Sequence, residues 1–498
     1  MPKFRVREID NTGTVSSPET PNVVYIPGPA SEAKKPELFT NVSKFDAKVG
    51  DDYLPGLSAK MAHHLLTLGM HVLYEGVVVE GGSQPAQIKN SVKFDASNKQ
   101  FVVDGRTFTI NAENTSVSWP AEGLPSGTPT SASISASDEV YQATIPDDVV
   151  KNLFDSKFSF DFAGNNVYYT KSYIVDGNPT VETWTNIWKD LIDKNLYDVR
   201  FLTTGQFFAG SLCGDKMIEC AAKRCDAVAL LDFKTTNNTV SEYREMAEAV
   251  VTATKAMSID TTKDPASFAA AFAPSWTGNI YTATSLEKIE HLPPSFAYLC
   301  AFARSVKENP MWYAVAGSFR GKLPELISVD REYTNADIEM LQARSKDVEV
   351  ALDESGDNVG VAINPIAKRR PFGHIIWGNR TLRDNEANDT DNTGILKATS
   401  FLNCRILSTE VAKVAYNAAN KYTFEQNNEV LWTNFTSYIL PTLDRMSTGN
   451  GILDYKIARV PTTKKARLCA KISLIPIEAV EDFDITIELT DEIASVSE

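Results

Sequence analysis

Each end of this chain reads as a strand with nothing nearby to pair with. Near the start, Phe4, Val6 and, after a slip, Ile9 alternate with Lys3, Arg5, Arg7 and Glu8. Period two with charge on the opposite face is the pattern of a half-buried strand. Asn11 to Asn22 then turns to Thr, Ser, Pro and Gly, a linker composition. At the other end Phe483, Ile485, Ile487 and Leu489 alternate with Asp484, Thr486 and Glu488. An open strand edge has to be paired, covered or charged. These two strands, tethered too loosely to be fixed on their own body, are therefore expected to pair in another copy's sheet. Phe4, Val6, Phe483, Ile485, Ile487 and Leu489 are the candidate inter-subunit residues.

Bulk properties narrow the class. At 498 residues the chain is too long for one ordinary core. A hydrophobic share of 43% with 10% aromatics describes a soluble globular protein. No apolar run approaches the roughly 20 residues that a membrane helix needs. Met1-Pro2-Lys3-Phe4-Arg5-Val6 has no apolar segment of the secretory kind, so a cytosolic site of synthesis without membrane insertion is expected. The net charge of −15 argues against a nucleic-acid partner, because phosphate binding needs clustered cations. Lys368-Arg369-Arg370 reads as a solvated or protein-facing patch. The cysteines at 213, 220, 225, 300, 404 and 469 lack zinc-site spacing and read as reduced thiols.

Along the chain, Val23 to Pro29 is an apolar strand ended by a turn, and Phe39 to Phe45 continues the same unit. Ser58 is expected to cap a helix carrying Met61, Leu65 and Leu68, with Gly69 as its stop. His63 and His64 sit on that helix, but adjacent residues point about 100° apart and do not converge on a metal. A strand follows from His71 to Val79. From Gly81 to Gly177 short alternations and an Asp104-Gly105 hairpin signal indicate a small β-rich insertion. A short helical stretch falls near Asp147 to Phe154. Helix and strand then alternate: a helix on Trp184, Ile187, Trp188 and Leu191, a strand at Asp198–Thr203, and a helix to Arg224. An apolar strand to Phe233 and helices at Ser241–Met257 and Pro293–Lys307 follow. Two long helical patterns, Gly394–Tyr422 and Glu429–Met446, precede a strand at Leu468–Ile475.

Catalytic chemistry is missing from this pattern. No G-x-x-x-x-G-K-[ST] loop is present. Gly210–Gly214 and Gly317–Gly321 graze the G-x-S-x-G elbow with the nucleophile misplaced. Asp384, Glu386, Asp389 and Asp391 could offer oxygens to calcium, but lack EF-hand spacing and read as a solvated loop. No enzyme activity, cofactor or metal is expected.

Four short motifs in order carry a resemblance: Trp377-Gly378-Asn379-Arg380-Thr381-Leu382, Leu402-Asn403-Cys404-Arg405-Ile406-Leu407, Phe424-Glu425-Gln426-Asn427 and Gly451-Ile452-Leu453-Asp454-Tyr455. They resemble the W-G-x-R-T-L strand, L-N-x-R-R-L helix start, F-E-x-N segment and G-x-x-D-Y turn of contractile phage tail sheath proteins. Cys404 and Ile406 depart from the family wording. Tyr197-Asp198-Val199, Ala222-Lys223-Arg224-Cys225-Asp226-Ala227-Val228, Pro293-Pro294-Ser295 and Trp312 to Gly317 (a W-x-x-x-A-G strand in the family) are similar to the sheath body. The resemblance covers roughly 23 to 80 and 183 to 490.

That resemblance implies an α+β multidomain fold and a non-enzymatic role: a virion tail sheath polymerising helically around the tail tube, assembled in the host cytoplasm, and contracting to drive genome ejection. Its implied partners are other copies of itself, the tube protein, and baseplate and tail terminator proteins. Implied units are an N-terminal arm at 1–22, body at 23–80 and 183–365, and a β-rich insertion at 81–182. A tube-facing C-terminal domain at 366–482 and a C-terminal arm at 483–498 complete them. Trp377, Gly378, Arg380, Asn403, Arg405, Phe424, Glu425, Asp454 and Tyr455 are the structural motif residues. A bacteriocin or type VI secretion sheath is the near alternative, and a soluble hydrolase with a β-rich binding module the distant one.

Overall fold

The computed structural model describes residues 21–49, 52–54, 56–79, 177–255, 257, 264–278, 290–342, 361–383 and 397–479. Between 87 and 174 it describes the strands and some of the turns that join them. Both terminal arms, the Asp147–Phe154 stretch and the acidic loop from Asp384 to Asp391 lie outside the described residues.

The chain opens with β1 (Val23–Pro29), β2 (Lys34–Phe39), α1 (Val42–Asp46), α2 (Leu57–Thr67) and β3 (His71–Val77). It leaves for β4 (Gln87–Phe94), β5 (Gln100–Val103), β6 (Arg106–Ile110), β7 (Ser116–Ser118), β8 (Ser131–Ser137), β9 (Val140–Thr144), β10 (Phe160–Gly164) and β11 (Val167–Ile174). It returns through α3 (Val181–Asp190), β12 (Phe201–Leu202), α4 (Gly210–Arg224), β13 (Val228–Leu231), α5 (Val240–Lys255) and β14 (Ala269–Ala273). Next come β15 (Trp276–Gly278), β16 (Glu290–Leu292), α6 (Pro294–Glu308), α7 (Gly317–Arg320), β17 (Leu326–Val329) and α8 (Asn335–Leu341). The last are β18 (Asn364–Arg369), β19 (Gly373–Ile376), α9 (Leu402–Lys421), α10 (Glu429–Thr448), β20 (Ile452–Val460) and β21 (Cys469–Pro476).

The body is an eight-stranded sheet in the order β19-β18-β14-β13-β12-β1-β3-β2. Its inner pairings are parallel, and the two edge strands β2 and β19 run antiparallel to their neighbours. Parallel strands need both faces covered, which is why β1, β13 and β14 are apolar throughout. Side chains alternate across the sheet. Val24 and Ile26 join a core with Met61, Leu65, Phe296 and Phe302 from α2 and α6. Val23 and Tyr25 join the opposite core with Trp184, Trp188, Met217 and Val251 from α3, α4 and α5. Strand β14, four alanines and Phe272, is buried throughout.

Strands β4 to β11 form a separate antiparallel sheet, ordered β10-β11-β4-β9-β8-β7-β6-β5. The Val103↔Arg106 pairing closes the hairpin expected at Asp104-Gly105. Val79 packs against the core that contains Trp184, so the chain leaves and re-enters the body beside one cluster.

Several local expectations give way to tertiary structure. Phe39 ends β2, and the Asn41 side chain accepts from the Ser43 and Lys44 amides and starts α1. Gly56, not Ser58, precedes α2, and the Ser58 hydroxyl instead accepts from the Gln206 amide at 2.9 Å. The Asp198–Thr203 strand shrinks to Phe201–Leu202. Trp312 to Gly317 forms a turn, irregular chain and the start of α7; the Tyr313 amide donates to Pro310 O at 3.1 Å, and the Trp312 indole donates to Gly449 O at 3.0 Å. In place of one helical run from Gly394, a short 3₁₀ turn at Ala398–Ser400 precedes α9.

Gly210 begins α4 where the helix crosses the end of β13. Its amide donates to Asp232 O at 2.8 Å, and a Cβ there would lie 2.4 Å from that oxygen. Backbone cannot rotate aside as a side chain can. Gly210→Ala should therefore cost about 1–3 kcal/mol and lower the apparent melting temperature by a few degrees in differential scanning calorimetry. An unchanged melting temperature would mean that α4 slides freely on the sheet.

Candidate functional site

The C-terminal unit is two helices and a hairpin. Leu407, Val411, Val414 and Ala418 of α9 pack against Phe435, Ile439, Leu443 and Met446 of α10. The Asn428 side chain accepts from the Leu431 amide at 2.9 Å and caps α10. Across these helices lies the ribbon β20–β21, paired from Asp454↔Ile475 to Val460↔Cys469. Tyr455 and Ile457 face Leu474 and Ile472, and all four pack onto the helical core.

The ribbon is unfinished. It holds two strands, and among the described residues neither outer edge has a partner strand. Two-stranded ribbons are marginal in water and depend on further strands or packing. Leu453 and Ile475 are 69% and 54% exposed. Under β21 a cleft of about 460 Å³ is lined by Ala415, Ala419, Leu431, Phe435, Ala470 and Ile472, and by no residue of β20.

A buried polar joint fixes this unit to the body. Arg200 Nη2 donates to Glu410 Oε2 at 2.6 Å, with side chains 0% and 1% exposed. One turn on, Lys413 bonds Asp198 and lies 3.8 Å from Asp226, which Arg224 holds at 2.9 Å. Burial pulls Lys413 below the usual ammonium range, opposed by Asp226 and Asp198. Arg405 donates to Ser267 O at 3.0 Å, lies over the Phe268 ring, and is lowered by burial to about 10. Asn379 Nδ2 donates to Asn403 Oδ1 at 2.7 Å, and Asn403 Nδ2 donates to Trp312 O at 3.3 Å.

The motif residues fall into four places. Gly378, Arg380, Asn403 and Arg405 belong to the joint. A Cβ at Gly378 would meet Asn364 Oδ1 at 2.7 Å, and Arg380 lies over the Phe401 ring. Trp377 is partly exposed beneath the Arg369 guanidinium. The stretch from Trp377 to Leu382 follows β19 as irregular chain, with a bridge at Arg380↔Phe401, instead of forming a strand. Phe424 and Glu425 occupy the exposed loop between α9 and α10, Phe424 with φ +74°. Asp454 and Tyr455 lie within β20, so the G-x-x-D-Y segment is a strand entry and not a turn; the Tyr455 hydroxyl bonds Asp444. Sequence reasoning missed Arg200, Glu410 and Lys413. The available signal was Glu410 at i+3 from Leu407 and adjacent to Val411, a charge on an apolar stripe.

Elsewhere the chemistry is sparse. His63 bonds Asp46 while His64 turns towards Glu325, so the two rings part. Among the described residues no three His, Cys, Asp or Glu side chains gather as a metal site, and no helix is long and apolar enough to cross a membrane. A cleft of about 610 Å³ beside α6 and the β18–β19 turn is lined by Arg304, Lys307, Arg320 and Lys322. Gly210–Gly214 lies inside α4 and Gly317–Gly321 spans α7.

Glu410→Ala removes the carboxylate from a buried guanidinium and should cost about 3–5 kcal/mol, whereas Arg200→Met with Glu410→Leu should be close to neutral. Thermal denaturation of both variants checks this; equal losses would show that the pair itself supplies the stability.

No family model matches this chain, and no curated protein matches it. Solved structures do. A chain of the contracted sheath complex of an extracellular contractile injection system (PVC) is similar with a TM-score of 0.50 at 12% identity, covering 99% of this chain and 98% of that one. A chain of the contracted anti-feeding prophage (AFP) baseplate is similar with a TM-score of 0.50 at 13% identity and the same coverage. Over nearly its whole length, this chain has the fold found in contractile sheath assemblies.

Proposed function

We propose that this chain is the subunit of a contractile sheath that polymerises helically around an inner tube. The observation that carries this reading is the unfinished β20–β21 ribbon, mounted on a fold shared with a chain of a sheath complex. Identical subunits whose head-to-tail contacts do not close generate a helical tube. Strands lent by neighbours, around Phe4 and Val6 and from Phe483 to Leu489, would complete the ribbon through main-chain hydrogen bonds. Such links on slack tethers persist while the bodies rotate against each other. Contraction then draws on a metastable extended packing released by rigid-body movement, with no nucleotide consumed.

In this arrangement the unit at about 366 to 482 faces the tube and the sheet within 81–182 projects outward. The joint around Arg380, Asn403 and Arg405 keeps ribbon and body moving together. Phe424 and Glu425 at the helical tip are surfaces for the tube or for neighbours. Baseplate and terminator proteins would bound the polymer at its ends. A phage tail sheath and the sheath of an extracellular injection system are the two settings in which such a subunit would serve.

Removing Met1–Ser16, or Glu481–Glu498, should spare the fold and abolish polymers. Circular dichroism and melting check the fold, while sedimentation and negative-stain microscopy check for tubes or rings. Full-length tubes from either truncation would show that the arms are not the links. Uniform small particles from the intact protein at every concentration would contradict the sheath reading.

A further inference from the structure

The body carries positive charge that its own fold leaves unused. The cleft of about 610 Å³ beside α6 and the β18–β19 turn is lined by Arg304, Lys307, Arg320, Lys322 and His374, against Glu308 alone. Three of these side chains are engaged. Arg304 bonds Glu325 and donates to Lys322 O at 3.0 Å. Arg320 Nε donates to Ala314 O at 2.8 Å beneath the Tyr313 ring, and His374 lies 2.7 Å from Glu332 Oε1. Lys307 and Lys322 are exposed and form no ion pair among the described residues. The same holds for Lys368 and Arg370, on the turn that carries Phe372 and Gly373 into the cleft wall. Two rings stand at the rim: Phe319 is 89% exposed and Phe372 47%. Cations interleaved with bare aromatic rings suit a partner segment that alternates carboxylates with apolar side chains.

This chain of net charge −15 contains such a segment. Asp347, Glu349 and Asp353 alternate with Val348, Val350 and Leu352, and from 347 to 357 there are five carboxylates and no cation. The other acidic run, Asp384 to Asp391, has no large apolar side chain to meet the rings. Residues 347 to 357 lie outside the described ones, but the points where the loop leaves and rejoins the body do not. The Ile363 amide donates to Leu341 O at 2.7 Å, so both points sit together beside the start of β18. The basic turn lies at the other end of β18, about 17 Å away at 3.3 Å per residue. Complementary charges at opposite ends of one element fit a head-to-tail contact, in which each copy gives its segment to one neighbour and its cleft to another.

We infer that the cleft between α6 and the β18–β19 turn receives the acidic segment 347–357 of a second copy. Lys307, Lys322 and Lys368 meet its carboxylates, and Phe319 and Phe372 meet its apolar side chains. The inference rests on the sheath reading above and adds a contact between bodies that is independent of the arms.

The test uses the full-length chain. Lys307→Glu, Lys322→Glu and Lys368→Glu form one set, and Asp347→Lys, Glu349→Lys and Asp353→Lys the other, with melting temperature as the check on folding. Either set alone brings like charges together and should raise the protein concentration at which tubes sediment by about tenfold or more, and combining the sets should restore assembly. Unchanged assembly in both single sets, or loss without rescue, overturns the inference and leaves the sheath reading standing. Wild-type protein that forms no tubes overturns both. A second readout reverses no charge: Lys322→Cys chains mixed with Glu349→Cys chains during assembly should give disulfide-linked dimers that neither gives alone. Tubes without such dimers overturn the inference. So does an internal disulfide in a chain carrying both cysteines, which would show the segment folding onto its own cleft.

Discussion

The Arg200–Glu410 pair sets the position of everything C-terminal to it. It joins a residue just before β12, at the centre of the parallel sheet, to the third turn of α9, and both side chains are out of water. A buried charge tolerates few alternative geometries, because losing its partner leaves an uncompensated ion. Lys413 with Asp198 and Asp226, and Arg405 with Ser267, repeat the constraint along the same helix. The helical pair and the ribbon are thus held to the sheet by directional contacts, and a displacement of the ribbon is passed to the body instead of being absorbed between them.

That rigidity gives the unfinished ribbon its significance. The body completes its hydrogen bonding with antiparallel edge strands, β2 and β19. Strand β2 is short and carries Lys34, Lys35 and Glu37, a composition that discourages further pairing. The ribbon also carries exposed Lys456 and Lys471, but it leaves Leu453, Val460 and Ile475 exposed as well, above the cleft beneath β21. One sheet is closed to partners and the other is open to them. A subunit built in this way keeps its own fold intact while its main-chain links to other copies are made at a separate place.

Much of this architecture is legible in the sequence, and the exceptions have physical causes. Helices α5, α6 and α10 declare themselves by period and boundary residues, and apolar runs mark β1 and β13. The buried joint was hidden because periodicity weighs residues by polarity, so Glu410 and Lys413 count against the stripe they belong to. Arg200 likewise interrupts Val199 and Phe201. Trp312 looks like strand, yet it sits in a turn closed by the Tyr313 amide on Pro310 O, and its indole reaches Gly449, far along the chain. The cleft under β21 could not be foreseen, since it arises where α9, α10 and β21 diverge. The alternation at the two ends is a local property of the sequence, and those residues lie outside the described ones.

The most direct measurement of the central claim is a cryo-electron-microscopy reconstruction of polymers assembled from the intact chain, at a resolution that traces strands. The account predicts added strands hydrogen-bonded to the β20–β21 ribbon, traceable through their tethers to neighbouring copies. A ribbon with bare edges inside a well-ordered tube, or one completed by its own chain, would contradict it.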